Sequence, residues 1–190
     1  MGNTRHSTSV ELEAGLDFIR QSPKDTGRLT LIVRRPRADE REILNEAVLS
    51  TETGLVGDTW SSRGSSRTSD GSPHPDMQLT LMNSRVISLL AQTQDQWALA
   101  GDQLFVDFDL SAANIPARTQ LAIGTAVVEI TAQPHTGCQK FATRFGRDAL
   151  AFVNAPNRRE LRLRGANARV VQSGKIQTGD VVKKCKAVGA

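Results

Sequence analysis

The chain contains no tyrosine, and aromatic residues make up only 4% of it. Surfaces that bind single-stranded nucleic acid need aromatic platforms among their basic residues. The net charge of +4 is therefore assigned to a pocket for a small anionic ligand or to a solvated basic surface, with no nucleic acid as partner. Cysteine is nearly absent too. Cys138 and Cys185 are the only two, and with three scattered histidines they make no zinc-ligand spacing. Without signs of an oxidising compartment they read as free thiols. No apolar run approaches the length of a membrane span, and the opening "MGNTRHSTSVELEAG" lacks the apolar core of a secretory signal. The expected location is cytoplasmic, with no membrane partner. What is there, 190 residues with 38% hydrophobic and 23% charged, is enough for one globular domain with its own core.

The order of elements is mostly β. Residues 8–21 predict a helix: Thr8 and Glu11 have capping-box spacing, Leu12, Leu16 and Ile19 share a face, and Pro23 ends it. "GRLTLIVRRP" predicts a strand, and "EAVLSTETGLVGDTW" a strand running into a glycine turn. Residues 61–76, rich in Ser, Gly, Pro and Arg, predict a loop, of a length that is often functional. "MQLTLM" reads as a strand, followed by a helix over 85–99 with Val86, Ile87, Leu90, Trp97 and Ala98 inward. "TQLAIGTAVVEITAQ" reads as a hairpin about Gly124-Thr125, "RDALAFVNAP" as a short helix, and "LRLRGANARVVQSGKIQTGDVVKK" as three strands with glycine turns. Strands and helices do not alternate, which excludes a doubly wound parallel sheet. The expected fold is mainly β: a partly closed β-barrel with a few short helices and an N-terminal helix. Its parts are a helical extension over 1–27, the barrel over 28–185 and a tail over 186–190.

The chemistry centres on "QPHTGCQKFATRFGRD". Cys138 follows a strand in a turn marked by Pro134 and Gly137, with His135, Lys140 and Arg144 near it. Nearby cations favour a thiolate, and a loop position favours reaction. Cys138 is therefore either a reactive sulfur or an inert small residue packed under the loop. A protease-like pair with His135 is disfavoured, because such pairs are assembled by the fold from distant segments. Arg34 and Arg35, and Arg162 and Arg164, are candidate anion ligands. On a strand Arg162 and Arg164 would share a face, and paired guanidiniums suit a bidentate grip on phosphate; the competing reading is a polar sheet surface. "GLVGDTW" supplies Gly57, which would let backbone approach a ligand, and then Asp58.

Together these pieces resemble the MOSC domain, named for the C-terminal domain of molybdenum cofactor sulfurases. The resemblance covers roughly residues 28–184 and rests on order: "GLVGD", then "LTLMNSRVISLLA", then "LAIGTAVVEITAQPHTGCQKF", where a glycine-turn hairpin leads into a single cysteine, then "RGANARVVQSGKIQTGDVV". It implies a β-barrel and a role for Cys138 as carrier of a persulfide or as molybdenum ligand. The cofactor would be the molybdenum cofactor (molybdopterin), whose phosphate gives the basic residues a partner. Asp107, Asp109 and Asn114 stand where many members carry an acidic residue followed by Asn. The turn "PHTGC" departs from members in which proline directly precedes the cysteine. No pyridoxal phosphate is expected, since 190 residues cannot hold the N-terminal domain that binds it in the larger sulfurases.

Three functions follow. The first is a sulfur carrier or transferase, possible as an enzyme only with a cysteine desulfurase or other sulfur donor as partner. The second is a small molybdoenzyme that reduces N-hydroxylated compounds and draws on an electron-donor protein. The third is a non-catalytic module for a small anionic ligand.

Overall fold

The computed structural model describes residues 5–91 and 93–185; the tail expected at 186–190 lies outside the described residues. The strands are β1 (Thr26–Arg34), β2 (Glu42–Leu44), β3 (Glu46–Ser50), β4 (Gly54–Leu55), β5 (Leu79–Asn83), β6 (Leu104–Asp107), β7 (Gln120–Ile123), β8 (Ala126–Ile130), β9 (Ala166–Gln172), β10 (Gly174–Gln177) and β11 (Val181–Lys184). The helices are α1 (Ser9–Ala14), α2 (Leu16–Arg20), α3 (Ser84–Leu90), α4 (Gln139–Phe145) and α5 (Arg147–Asn154).

Seven strands close on themselves in the order β1-β11-β7-β8-β9-β5-β6 and back to β1, with β2 hanging from β1. Only β5 and β6 run parallel. Closure removes the sheet edges on which other chains could pair. A separate small sheet, β10-β3-β4, adds Leu49, Leu55 and Ile176 to the core cluster of the barrel. The mainly β barrel with a few short helices expected from the sequence is the fold observed, and the barrel is closed where partial closure was expected.

Two cores follow from alternation along the staves. Inside the barrel lie Leu29, Ile32, Leu81, Leu104, Val106, Phe108, Ile123 and Val128, all fully buried. Outside it, Leu31, Val33, Met82 and Phe105 pack under the helices against Val86, Ile87, Phe141, Phe145 and Phe152. In a regular strand Leu29 and Leu31 would face the same way. The register of β1 against β6 shifts between them, and that bulge turns Leu31 to the helical side while Ile32 returns to the interior.

Several elements differ from the sequence expectation. The N-terminal helix breaks at Gly15 into α1 and α2; the Thr8–Glu11 capping box is present. Leu12 and Ile19 are buried in the outer core, with α1 packed on α5. The helix expected over 85–99 is instead α3 followed by a 3-10 segment, Gln94–Ala100. The chain is extended at Ala91 and Thr93, and the second segment brings the Trp97 ring to 6.1 Å from that of Phe105. Strand β6 and helix α4 carry no strong sequence signal and are additions. No helix among the described residues is long and apolar enough to cross a membrane.

The β7–β8 hairpin depends on Gly124, whose φ is +56°. A Cβ there would lie 2.4 Å from the Lys175 carbonyl oxygen. Gly124→Ala is expected to lower stability by about 1–3 kcal/mol, read as a lower urea midpoint without change in denaturant slope.

Candidate functional site

Cys138 lies at the wall of a cleft of about 290 Å3 between the barrel's outer face and the loops around Trp60. The cysteine is exposed and free. It occupies the N-cap position of α4, where its carbonyl accepts from the Ala142 N–H at 3.1 Å. The preceding loop is clamped to the end of α5. Gly137 N–H donates to Asn154 Oδ1 at 2.8 Å, and Asn154 Nδ2 donates to the Gly137 carbonyl at 3.0 Å. A side chain at 137 would meet Leu150 Cδ1 at 2.7 Å, so glycine is what permits this approach.

Six cations line the cleft: Arg35, Arg41, Arg63, Lys140, Arg144 and Arg164. Two are held by buried carboxylates. Arg35, which follows β1, makes a bidentate pair with Asp58 at 2.8 and 2.7 Å and gives a further N–H to the Gly101 carbonyl at 3.0 Å. Arg164, just before β9, donates to Asp102 Oδ2 at 2.6 Å and to the Ala100 carbonyl at 2.9 Å. Its guanidinium also lies 4.9 Å from the centre of the Phe141 ring, in the helix that Cys138 caps.

Asp102 joins three segments, because its other oxygen lies 2.9 Å from His135 Nε2. Burial alone would raise the Asp102 pKa. The charge of Arg164 and the hydrogen bond from His135 outweigh it and bring the carboxyl down to about 2. His135 is lowered from its ordinary 6.5, first by burial and then by the charge of Arg164, against the opposing pull of Asp102. Near neutrality the pair is therefore a carboxylate and a neutral imidazole whose Nε2–H donates to it, which leaves Nδ1 as an acceptor.

The remaining cations are less well compensated. Lys140 and Arg144 share Asp39, at 3.2 and 3.4 Å. The pKa of half-buried Arg41 is lowered by burial and then by the charges of Arg144 and Arg35; Arg63 is exposed as a residue, and its guanidinium is lowered by partial desolvation against the cleft wall and then by the charge of Arg35. Arg41 Nε is buried without a hydrogen-bond partner. Such crowding of guanidiniums is unfavourable unless an anion joins them.

Of the residues singled out from sequence, the cleft gathers Arg35, His135, Cys138, Lys140, Arg144 and Arg164. Asp58 stands behind it as the partner of Arg35. Three others lie elsewhere. Arg34 is turned away and pairs with Glu42 at 2.6 Å on the β1–β2 ribbon. Gly57 packs against that same Arg34 side chain and offers the cleft nothing. Arg162 is not on a strand beside Arg164. It has left-handed φ of +46° at the end of the 3-10 segment Pro156–Leu161 and donates to the Ile115 carbonyl at 2.8 Å. The pairing of Arg162 with Arg164 on one strand face is thereby corrected.

Asp107, Asp109 and Asn114 also stand apart, in structural roles. Asp107 pairs with Arg85 at 2.7 Å, Asp109 accepts from the Ser111 N–H at 2.9 Å, and Asn114 Nδ2 donates to the Asp109 carbonyl at 2.8 Å. Sequence reasoning missed Asp102, Arg41, Arg63 and Asn167. Arg63 lies in the 61–76 loop whose length had marked it. Asp102, after the glycine that ends the Gln94–Ala100 segment, gave no sign of its burial.

A family model for the MOSC domain matches residues 74–183. The fold is similar to that of the YuaD protein of Bacillus subtilis, at 14% identity and TM-score 0.58, covering 84% of this chain and 95% of that one. It is similar to YiiM of Escherichia coli at 18% identity and TM-score 0.52, covering 86% and 72%. YiiM of Geobacillus stearothermophilus matches at 15% identity and TM-score 0.55, covering 86% and 78%. No curated protein matches the chain.

Asp102→Asn removes the counter-charge of buried Arg164 and is expected to cost roughly 3–5 kcal/mol, measured by chemical denaturation. The pH dependence follows from two lowered pKa values. The unfolded chain takes up protons on His135 below 6.5 and on Asp102 below 3.8 that the folded protein resists. Both contributions are present above those values and are lost on acidification. Stability should begin to fall just below pH 6.5, and His135→Gln should flatten that first decline in a pH series of urea midpoints.

Proposed function

Since the chain belongs to the MOSC domain family, with its model matching residues 74–183, we propose that it binds the molybdenum cofactor in the Cys138 cleft and acts as a sulfur carrier or transferase through Cys138. The observation that carries this reading is the single exposed thiol on the wall of a cleft with six cations, of which Arg41 and Arg63 lack a carboxylate at ion-pair distance among the described residues.

The residues fit such a group. An anion would relieve the crowding of Arg41 and Arg63, and a phosphate oxygen would satisfy the buried Arg41 Nε. A soft sulfur suits molybdenum. Among the described residues no three His, Cys, Asp or Glu side chains cluster to hold a metal ion by themselves, so a metal here would come already carried on an organic ligand. When bound, the cofactor supplies a metal centre that takes sulfur as a ligand.

The chain's own residues do the rest. Arg35 and Arg164, fixed by Asp58 and Asp102, present a rigid cationic wall. Lys140 and Arg144 lie on the helix that begins at Cys138 and add positive charge near the sulfur. The Asn154 clamp holds the loop that carries it. In the loading step the Cys138 thiolate attacks the outer sulfur of a persulfide on a donor protein such as a cysteine desulfurase. The donor's S–S bond breaks, a new S–S bond forms at Cys138, and the donor departs as a thiolate, with no net oxidation.

The test is molybdenum and pterin content after expression in a host that makes the cofactor, with Cys138→Ala and Arg63→Ala alongside, and mass analysis of Cys138 after exposure to a desulfurase and cysteine. The expected result is a persulfide, a mass gain of one sulfur, on Cys138 and not on Cys185, with cofactor retention reduced in Arg63→Ala. Near-stoichiometric metal that is lost in Cys138→Ala, with no persulfide, would replace the carrier reading by that of a molybdoenzyme. Neither cofactor nor persulfide would sink both.

A further inference from the structure

A second and larger cleft adjoins the one that holds Cys138. It measures about 470 Å3 and meets the Cys138 cleft at a common wall formed by His135, Thr136, Arg164 and Asn167. Its other side is built from the end of α5 and the 3-10 segment that follows, bringing Arg159 and Arg162 beside the apolar surfaces of Val153, Ala155 and Ala166.

Two independent features mark it as a binding site. The first is a pair of unsatisfied polar atoms in the common wall. Arg164 and Asn167 are 6% and 0% exposed, yet Arg164 Nε and Asn167 Oδ1 have no hydrogen-bond partner. Arg164 spends its terminal nitrogens on Asp102 and Ala100. Asn167 spends its amide nitrogen on the Gln133 and Pro134 carbonyls at 3.2 and 3.3 Å. What remains is one N–H donor and one carbonyl acceptor. Leaving either buried and unpaired is costly, and a group with an acceptor and a donor of its own would satisfy both. The amide is such a group.

The second feature is charge. Neither Arg159 nor Arg162 forms an ion pair among the described residues. The Arg162 guanidinium is partly buried and is held below its usual pKa by that burial, against the milder opposing charge of Glu160. A guanidinium in that state favours an anion.

We propose that this second cleft binds an organic carboxylate bearing an amide, of the N-acylated amino acid class. Arg159 and Arg162 take the carboxylate. Arg164 Nε–H donates to the amide carbonyl, Asn167 Oδ1 accepts from the amide N–H, and the acyl group lies on the apolar wall of Val153 and Ala155. The site shares Arg164 and Asn167 with the cofactor cleft, while Arg159, Arg162, Val153 and Ala155 line the second cleft and not the first.

Hippurate, which is N-benzoylglycine, serves as the probe, followed by calorimetry and by amide chemical shifts of the purified full chain. Saturable binding is expected, with shifts in the segments around 133–136 and 153–167. Arg159→Ala, an exposed position that does not threaten folding, should weaken it by about tenfold. Benzoate, which lacks the amide, and N-methylhippurate, which lacks the amide N–H, should each bind several-fold more weakly. Cys138→Ala and Arg63→Ala, which change only the neighbouring cleft, should leave hippurate affinity unchanged. The proposal is overturned by no binding at millimolar hippurate. It is overturned equally by benzoate or N-methylhippurate binding as tightly, or by binding that survives Arg159→Ala but is lost in Arg63→Ala.

Discussion

The ion pair between Arg164 and Asp102 is the interaction on which the functional half of the molecule rests. Asp102 is wholly buried and Arg164 nearly so. A buried carboxylate is tolerable only with its lone pairs satisfied and a cation in contact. Asp102 meets that condition by drawing in Arg164 from the approach to β9 and His135 from the exit of β8 while itself leading into β6. Three staves of the barrel are thus tied together outside their backbone ladder. Arg35 and Asp58 repeat the arrangement at the end of β1. The two carboxylates spend their charge on fixing guanidiniums and leave the cleft they border strongly positive.

The same network separates the two clefts. Arg164 and Asn167 stand in the wall that both share, with His135 and Thr136 completing it. The wall is rigid because its polar groups are anchored on the barrel: Arg164 on Asp102 and Ala100, Asn167 on the carbonyls of the segment before His135. Cys138 follows that segment by a short loop whose other support is Asn154 on α5. The sulfur is therefore positioned from the barrel on one side and from the helical layer on the other.

How much of this the sequence discloses depends on whether a residue acts locally or at a distance. The capping box at Thr8, the hairpin about Gly124 and the valine-rich strands depend on neighbours a few positions away, and these are legible. So is the cationic surrounding of Cys138, because Lys140 and Arg144 lie on its own helix. Asp102 is illegible: an acid after a glycine looks like a surface turn, and its burial is decided by Arg164 some sixty residues on. Arg162 and Arg164 mislead in the opposite sense. Two apart, they invite a strand reading, but a 3-10 turn ending in left-handed backbone at Arg162 sends the two side chains to different surroundings. Arg34 and Arg35 are adjacent and alike in type, but Arg34 ends β1 and turns to Glu42 on the ribbon, while Arg35 lies just past the strand and is held by Asp58 through both its backbone N–H and its guanidinium.

The closing stave of the barrel comes from far along the chain. Thr26 pairs with Lys183, and β11 is hydrogen-bonded to β1 on one side and β7 on the other. During synthesis β1 must wait, with an open backbone edge and the apolar side chains of Leu29 and Ile32 without their enclosure, until nearly all the described chain has emerged. Such long-range closure makes folding slow and exposes the nascent chain to aggregation. It also means that a nick or truncation that removes β11 would do more than trim a terminus: it would split the ring and leave β1 and β7 as two unpaired edges.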